Sequence, residues 1–315
     1  MIYDYYQMRF PSAGMALAKI DVFAPKYTKP VGIIQLAHGM QDYVLRYEKL
    51  AHVFNDLGFV FAGNNHLGHG ETARSREDFG FFASKDGVDA LLLDMKKTNE
   101  LLKNDYPGIP VIMLGHSMGS FLARLYTALF PETVSGLIIH GTGGKNPLAP
   151  LGKVIATVIK KIYGERHKSK LITKMAFGSY NKKFPKEEGR HAWLTRDLNL
   201  VSGRDSDGFQ NFGFTVSAYS DLFDMLIKCN KPEWFESYPK NMPTLVISGD
   251  ADPVGNYGKG PRYVYEKLKG AGVTNIELKL YEGARHELFN ETNREEVYKD
   301  LIAWVTGIVP VSDGE

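Results

Sequence analysis

The sequence predicts an α/β fold: a mostly parallel sheet with helices on both faces and one helical insertion. Short apolar runs of strand length alternate along the chain with stretches of helix length, as expected for βαβ units. Several of these runs are unbroken rather than alternating, which is typical of strands buried on both faces. The alternation stops near residue 143 and resumes with "TLVISGD" at 244–250, and this gap predicts the insertion.

Seven apolar runs are predicted strands and five longer stretches are predicted helices, several of which end near Gly or Pro. The strands, in chain order, are "LAKIDVFAP", "GIIQLAHG", "FVFAGNNH", "VIMLGHS", "GLIIHG", "TLVISGD" and "IELKLYEG". The helices are "RYEKLAHVFNDLG", "GVDALLLDMKKTNELLKNDYP", "SFLARLYTALFP", "YVYEKLKGAG" and "REEVYKDLIAWVTG".

Composition narrows the class of protein. The 315 residues are 43% hydrophobic, enough for a large core in one big domain or two modest ones. A net charge of +2 argues against a general nucleic-acid binder. The single Cys229 excludes an internal disulfide and fits a reducing compartment. The sequence displays neither a secretory leader nor a run of about 20 apolar residues, so we expect a soluble, cytoplasmic protein.

The insertion divides the chain into a predicted core of residues 1–142 and 233–315 and a predicted cap of residues 143–232. The cap carries 16 Lys and Arg against 8 Asp and Glu, in a chain whose total is 38 against 36. The basic surplus is therefore a property of the cap, and the rest of the chain is acidic.

The sequence Gly115-His116-Ser117-Met118-Gly119 lies where a predicted strand becomes a helix. A nucleophile held on a strained strand-to-helix turn needs this setting, with small neighbours that let strand and helix approach. A Gly-rich corner with an idle serine would give the same motif. The partners of Ser117 elsewhere in the chain decide between the two.

Two such partners follow, each after a predicted strand: Asp252 in "SGDADPVG" and His286 in "YEGARHELF". The order Ser, Asp, His favours a triad in which His286 takes the proton of Ser117 and Asp252 orients the imidazole. Asp250 competes with Asp252 for the acid role. We favour Asp252 for two reasons. The residue before Pro253 is forced into an extended conformation, and Asp252 lies further past the end of the strand, where its side chain can reach the histidine.

An oxyanion hole would need two backbone donors. The N–H of Met118, next after the nucleophile, is one, and the N–H of Met40 in the early loop "LAHGMQDY" is the other. His38 in that loop is predicted to orient it rather than to act as a second base. We expect no metal site, because no carboxylate or cysteine cluster completes the histidines of "NNHLGHGET", and no cofactor. Cys229 is predicted to be a packing residue.

Five blocks, "HGMQDYVLRYEKLA", "NNHLGHGET", "GHSMGS", "SGDADPVG" and "EGARHEL", resemble in order those of the monoacylglycerol lipase and lysophospholipase group of α/β hydrolases. The resemblance covers nearly all of the chain outside the cap. It implies an eight-stranded α/β-hydrolase sheet with a helical cap, Ser117, Asp252 and His286 as triad, Met40 and Met118 as oxyanion donors, and no cofactor.

The sequence departs from that family at Asn65 and at Asp42-Tyr43, and only the second departure bears on function. Asn65 stands where the family usually has Asp, which we expect to alter a structural hydrogen bond. Asp42 and Tyr43 stand where mammalian monoacylglycerol lipases have a Glu-His pair, so glycerol recognition would differ here. These two residues are candidate substrate contacts.

Two cap segments bear on the substrate. In "LGKVIATVIKKIYG" a helical stripe of apolar residues is bordered by Lys153, Lys160 and Lys161, which fits a cap helix packed on the core or an interfacial helix drawn to an anionic lipid surface. In "GFQNFGFTVSAYSDLFDML", aromatic residues either wall an acyl pocket or pack in a core. These residues are Phe209, Phe212, Phe214, Tyr219 and Phe223, of which Phe212, Phe214 and Phe223 are candidate substrate contacts.

We therefore predict a serine carboxylester hydrolase that acts on a small acyl ester of the monoacylglycerol or lysophospholipid type. The protein would contact membrane surfaces only transiently, through the cap. A short-chain or aryl esterase or a thioesterase on the same fold is the first alternative. A catalytically slow ligand receptor or scaffold is the second, since fold does not fix function. The oligomeric state stays open.

Overall fold

The computed structural model describes residues 3–311, so the outermost residues of the predicted core, 1–2 and 312–315, lie outside the described residues. Eight strands form one sheet. In chain order they are β1 Tyr3–Pro11, β2 Leu17–Pro25, β3 Gly32–Ala37, β4 Phe59–Asn64, β5 Val111–His116, β6 Gly136–His140, β7 Thr244–Gly249 and β8 Ile276–Tyr281.

The sheet confirms the predicted α/β class. Its order is β1-β2-β4-β3-β5-β6-β7-β8. β2 pairs antiparallel with β1 and β4, and the remaining pairs are parallel. The carboxyl ends of β3, β5, β6, β7 and β8 therefore meet at one edge, which is where open α/β sheets bind ligands.

Helices cover both faces of the sheet and create two cores. On one face α1 (Glu48–Asp56) and α10 (Arg294–Ile308) pack against the strands, and on the other face α2 (Gly87–Asp105), α3 (Met118–Leu129) and α9 (Lys259–Gly270) do so. The central strands β3 to β7 are buried along their length. This two-sided burial explains why their sequences are unbroken apolar runs.

The insertion between β6 and β7 consists of helices and loops. Its helices are α4 Ala149–Tyr163, α5 Lys170–Phe177, α6 Leu198–Gly203, α7 Val216–Lys228 and α8 Pro232–Ser237. α8 packs on the core, since the indole Nε1 of Trp234 donates to the carbonyl of Arg124 in α3. We keep the name cap for residues 143–232, and this boundary stays a prediction.

The apolar stripe of α4 is split between two faces. Ile155 and Ile159 pack inward, and Gly152 lies against the ring of Phe223 on α7. Six large apolar side chains on α4 or directly before it, together with two on α5, are exposed and are here named the cap patch: Leu148, Leu151, Val154, Val158, Ile162, Tyr163, Leu171 and Met175. Among residues 3–311, no helix has the length and apolarity needed to cross a bilayer.

Candidate active site

Ser117 occupies a strained turn between β5 and α3. Its φ of 54° and ψ of −120° lie outside the regions that non-glycine residues usually adopt, at a cost of about 1–3 kcal/mol. Tight packing on both sides fixes the turn. A Cβ on Gly115 would lie 2.5 Å from the carbonyl oxygen of Gly119, and a Cβ on Gly119 would lie 1.9 Å from that of Ala37. Only glycine fits these positions.

The Ser117 side chain is half-buried and faces a large cavity that His286 also lines. Its backbone N–H donates to the carbonyl of His140 on the neighbouring strand, at 3.0 Å. Within residues 3–311 its hydroxyl has no hydrogen-bond partner. The hydroxyl and the His286 imidazole thus line the same cavity, where a ligand can reach both.

His286 is paired with Asp252. The imidazole Nδ1 lies 2.9 Å from the carboxylate Oδ2 of Asp252, and both side chains are buried. Asp252 also accepts from the N–H of Val254 at 2.8 Å, whereas the exposed Asp250 accepts from the N–H of Gly283. Because an ionised carboxylate only accepts, Nδ1 carries the proton, and the lone pair of Nε2 is left for a substrate or nucleophile proton.

The cap holds the loop that carries His286. The indole ring of Trp193 lies 5.2 Å from the imidazole, between ring centroids. The N–H groups of His286 and Glu287 donate to the carbonyls of Trp193 and Leu194, at 3.4 and 2.7 Å. Two backbone hydrogen bonds and one aromatic contact therefore join the cap segment around Trp193 to this loop and limit the positions of the imidazole.

The loop after β3 brings a second backbone donor beside Ser117. A Cβ on Gly39 would lie 3.2 Å from the Cβ of Ser117, so the two turns are in close contact. No backbone carbonyl of residues 3–311 accepts from the N–H of Met40 or Met118. Met118 is the first residue of α3, where N–H groups lack intrahelical partners. One free donor at a helix start and a second in the adjoining loop are suited to an oxyanion.

Neutral histidines shape that loop. His38 Nδ1 donates to the carbonyl of Gly39 at 2.8 Å, and its Nε2 accepts from the N–H of His66 at 3.0 Å, in agreement with the predicted loop-orienting role. His69 Nε2 accepts from the N–H of Gln41 at 3.2 Å. Burial lowers the pKa of His69 to about 4 and holds that of His38 well below its usual value. Both rings are therefore neutral near pH 7.

The cavity has a volume of about 1120 Å³, at the upper end of the range of roughly 300–1,000 Å³ for small-molecule sites. Met40, Ser117, Met118 and His286 all line it. Its walls are mainly apolar and aromatic side chains of the cap and α3, among them Phe121, Ala176, Phe177, Tyr180, Trp193, Phe212, Tyr219, Leu222, Phe223 and Leu226.

The predicted substrate contacts fall into two groups. Phe212, Phe223 and Asp42 line the cavity, but the carboxylate of Asp42 is already paired with Arg46 and Tyr47. Tyr43 lies to one side, and its hydroxyl donates to Asp207 of the cap at 2.9 Å.

Phe214 lies behind the cavity wall, wholly buried against His69, Phe82 and Tyr219. Other wall residues of the cavity, Tyr180, Trp193 and Arg204, escaped the sequence analysis. No motif marks them, because long-range packing alone brings them to the site.

Known proteins match this chain over most of its length. The Hydrolase_4 family, described as serine aminopeptidase, S33, matches residues 28–293. A monoacylglycerol lipase of Mycolicibacterium smegmatis is 26% identical over 299 residues, covering 94% of this chain and 95% of that protein. Human monoglyceride lipase is 26% identical over 292 residues, covering 89% and 86%. The crystal structure of a thermostable carboxyl esterase from Bacillus coagulans, in complex with glycerol, superposes with a TM-score of 0.91 at 29% identity, covering 97% and 99%.

Proposed function

We propose an activity for this chain, which belongs to the Hydrolase_4 family and is an α/β hydrolase of the monoacylglycerol lipase group. It cleaves long-chain acyl esters of the monoacylglycerol or lysophospholipid type through a Ser117–His286–Asp252 triad. One observation carries the proposal. A strained serine and a histidine paired with a buried aspartate face the same large apolar cavity.

Acylation begins when the Ser117 oxygen attacks the ester carbonyl carbon while His286 Nε2 takes the hydroxyl proton. The oxyanion that forms is stabilised by the N–H groups of Met40 and Met118. Asp252 stabilises the imidazolium through Nδ1. The C–O bond to the alcohol then breaks, the imidazolium gives its proton to the leaving oxygen, and an acyl-Ser117 ester remains.

Deacylation repeats these steps with water as the nucleophile. His286 takes a proton from water as its oxygen attacks the acyl carbon, and the same two backbone donors stabilise the second oxyanion. Collapse of the intermediate breaks the bond to Ser117, which regains its proton from the imidazolium. The products are a fatty acid and a free triad.

The cavity walls support an acyl chain as the group that is bound. The aromatic and aliphatic side chains of α5 and α7 offer an apolar surface above Ser117. An aminopeptidase would need an acidic group for the substrate amine. The two carboxylates that line the cavity, Asp42 and Glu287, are both paired with Arg46, which disfavours that activity.

The proposal is tested with p-nitrophenyl esters from acetate to palmitate. Ser117→Ala should abolish turnover, whereas Ser179→Ala, a matched control because Ser179 also lines the cavity, should keep it. We expect kcat/KM to rise with chain length. Turnover that survives in Ser117→Ala would refute the nucleophile, and a preference for acetate would refute the lipid substrate in favour of a short-chain esterase. Labelling by a fluorophosphonate without ester turnover would favour the receptor alternative.

We also propose that the cap patch contacts lipid surfaces. Leu148 and Met175 belong both to this patch and to the cavity lining, so the cavity mouth opens among exposed apolar side chains. Lys161, Lys170 and Lys174, each next in sequence to a residue of the cap patch, are exposed. Apolar residues bordered by lysines suit an anionic bilayer surface, from which a single-chain lipid could pass directly to Ser117.

Vesicle co-sedimentation tests this contact. Wild type should bind vesicles containing phosphatidylserine more strongly than pure phosphatidylcholine vesicles, and Leu151→Glu with Val158→Glu should reduce that binding at least tenfold. Hydrolysis of a soluble p-nitrophenyl ester should be unchanged in the double variant. Equal binding of wild type and variant would contradict the proposal.

A further inference from the structure

Arg204 of the cap is a charged side chain almost wholly removed from solvent, with 7% of its surface exposed. Its guanidinium contacts three segments. Nη2 donates to the carbonyl of Gln41 at 3.2 Å, and Nη1 donates to the amide oxygen of Gln210 at 2.6 Å and to Oε1 of Glu287 at 3.3 Å. One cap side chain thus bonds two separate loops of the core.

Both core residues that Arg204 contacts are next in sequence to a proposed catalytic group. Gln41 directly follows Met40, the proposed oxyanion donor, and Glu287 directly follows His286, the proposed base. Arg204 contacts neither the donor nor the base. It joins the residues next to them, from the cap side of the cavity.

Gln41 needs such support because its backbone is strained. Its φ is +56°, a left-handed conformation that costs a non-glycine residue roughly 1–2 kcal/mol. Three contacts surround it: His69 accepts from its N–H, Arg204 donates to its carbonyl, and its side-chain amide donates to the carbonyl of Phe212. Two of these three contacts come from the cap.

Glu287 is held in a similar way. Its carboxylate pairs with Arg46 Nη2 at 2.8 Å and with Arg204, and its N–H donates to the carbonyl of Leu194. The carboxylate is buried, so it depends on these partners for charge compensation. Without Arg204, Arg46 would remain as the ion-pair partner of this carboxylate.

We infer that Arg204 is a positioning residue that couples the seating of the cap to the geometry of the oxyanion hole. When residues 204–212 lie on the oxyanion loop, Arg204 and Phe212 hold Gln41 and so aim the N–H of Met40. Tyr43 and Asp207 close the same contact from its other side. A cap segment lifted from this position leaves the triad intact but the oxyanion donor misaligned. The inference rests on the proposed ester hydrolysis.

The test compares Arg204→Gln and Arg204→Lys with Arg166→Gln. Arg166 is a matched control, because it is also a cap arginine bound to the core, through Asp78 at 3.1 Å, but away from Ser117. Each protein is titrated with a fluorophosphonate, and kcat is expressed per labelled serine. This normalisation removes any loss that comes only from unfolded protein.

We expect Arg204→Gln to lower kcat per labelled site about 10- to 100-fold with KM changed by less than about threefold, since a donor misplaced by about 1 Å costs on that order. Arg204→Lys retains a charge for Glu287 but cannot span to Gln41. It should therefore recover stability while kcat stays low, and it serves as the test if Arg204→Gln fails to fold. Arg166→Gln should keep the wild-type kcat.

Wild-type kcat in folded Arg204→Lys, or in folded Arg204→Gln, would overturn the inference, even if the melting temperature falls, because Arg204 would then be a structural clip only. An equal loss of kcat in Arg166→Gln would overturn it as well. Absence of ester turnover in the wild type would instead refute the proposed function, so the two failures are distinguishable.

Discussion

Gly119→Ala should damage stability and catalysis together, because the nucleophile turn has no room for a methyl group. The new Cβ would lie 1.9 Å from the carbonyl oxygen of Ala37 and 2.5 Å from that of His38, where ordinary contact begins near 3.4 Å. Both obstacles are backbone atoms, so no side chain can turn aside. The start of α3 must move by about 1.5 Å to widen the 1.9 Å approach to the 3.4 Å of ordinary contact.

That displacement separates Ser117 and the Met118 N–H from the loop that carries Met40. Overpacking of this kind costs about 3 kcal/mol of unfolding free energy, and a misplacement of about 1 Å costs about 100-fold in rate. We therefore expect Gly119→Ala to lose about 3 kcal/mol in urea unfolding and at least about 100-fold in kcat/KM with p-nitrophenyl butyrate.

Gly307→Ala is the matched control. Gly307 also lies in a helix, α10, but a Cβ there meets no atom within 4 Å. Its unfolding free energy should be unchanged or raised by up to about 1 kcal/mol, with normal kcat/KM. A Gly119→Ala protein of wild-type stability and activity would refute the argument that close strand–helix approach builds this turn.

Two further predictions concern buried polar groups. The pKa of His69 is about 4 in the folded protein and 6.5 in the unfolded chain, so the unfolded chain binds more protons between those pH values. Stability should therefore fall as the pH drops from 6.5 to 4, by up to about 3 kcal/mol from this group. Urea unfolding of His69→Gln should show a shallower pH dependence, and a slope equal to that of the wild type would count against the account. Asn65 Nδ2 donates to the buried carboxylate of Asp21 at 2.8 Å. Asn65→Asp would place two carboxylates together and should lower the unfolding free energy by about 3 kcal/mol at pH 7, and adding Asp21→Asn should restore most of that loss. Wild-type stability of the single variant would contradict this contact.

Much of the fold could be predicted from sequence because the central strands are buried on both faces and therefore apolar throughout. β1 was missed for the opposite reason. As an edge strand it is half-exposed and reads "YDYYQMRFP", with tyrosines and polar residues in place of an apolar run. The apolar residues of α4 cover more than one face of the helix. One face packs inward and the other is exposed, and the sequence alone did not separate the two.

The candidate site also contains residues that sequence motifs predict and residues that they do not. Ser117, Asp252 and His286 could be proposed from sequence because each follows a strand in a short motif, and the backbone requires glycine around them. Trp193 and Arg204 lie in cap loops without a motif, and their relation to His286 and Gln41 arises from contacts between distant parts of the chain. Asp42 was proposed from its position after the oxyanion loop, but its carboxylate is occupied by Arg46 and Tyr47.

The most direct test of the proposed mechanism is to map the site of covalent labelling. The protein is treated with a fluorophosphonate, the adduct is located by peptide mass spectrometry, and residual ester turnover is measured at each extent of labelling. We predict one adduct per chain, on Ser117, with turnover falling in proportion to it. An adduct on another residue, or full turnover after complete labelling of Ser117, would contradict the mechanism.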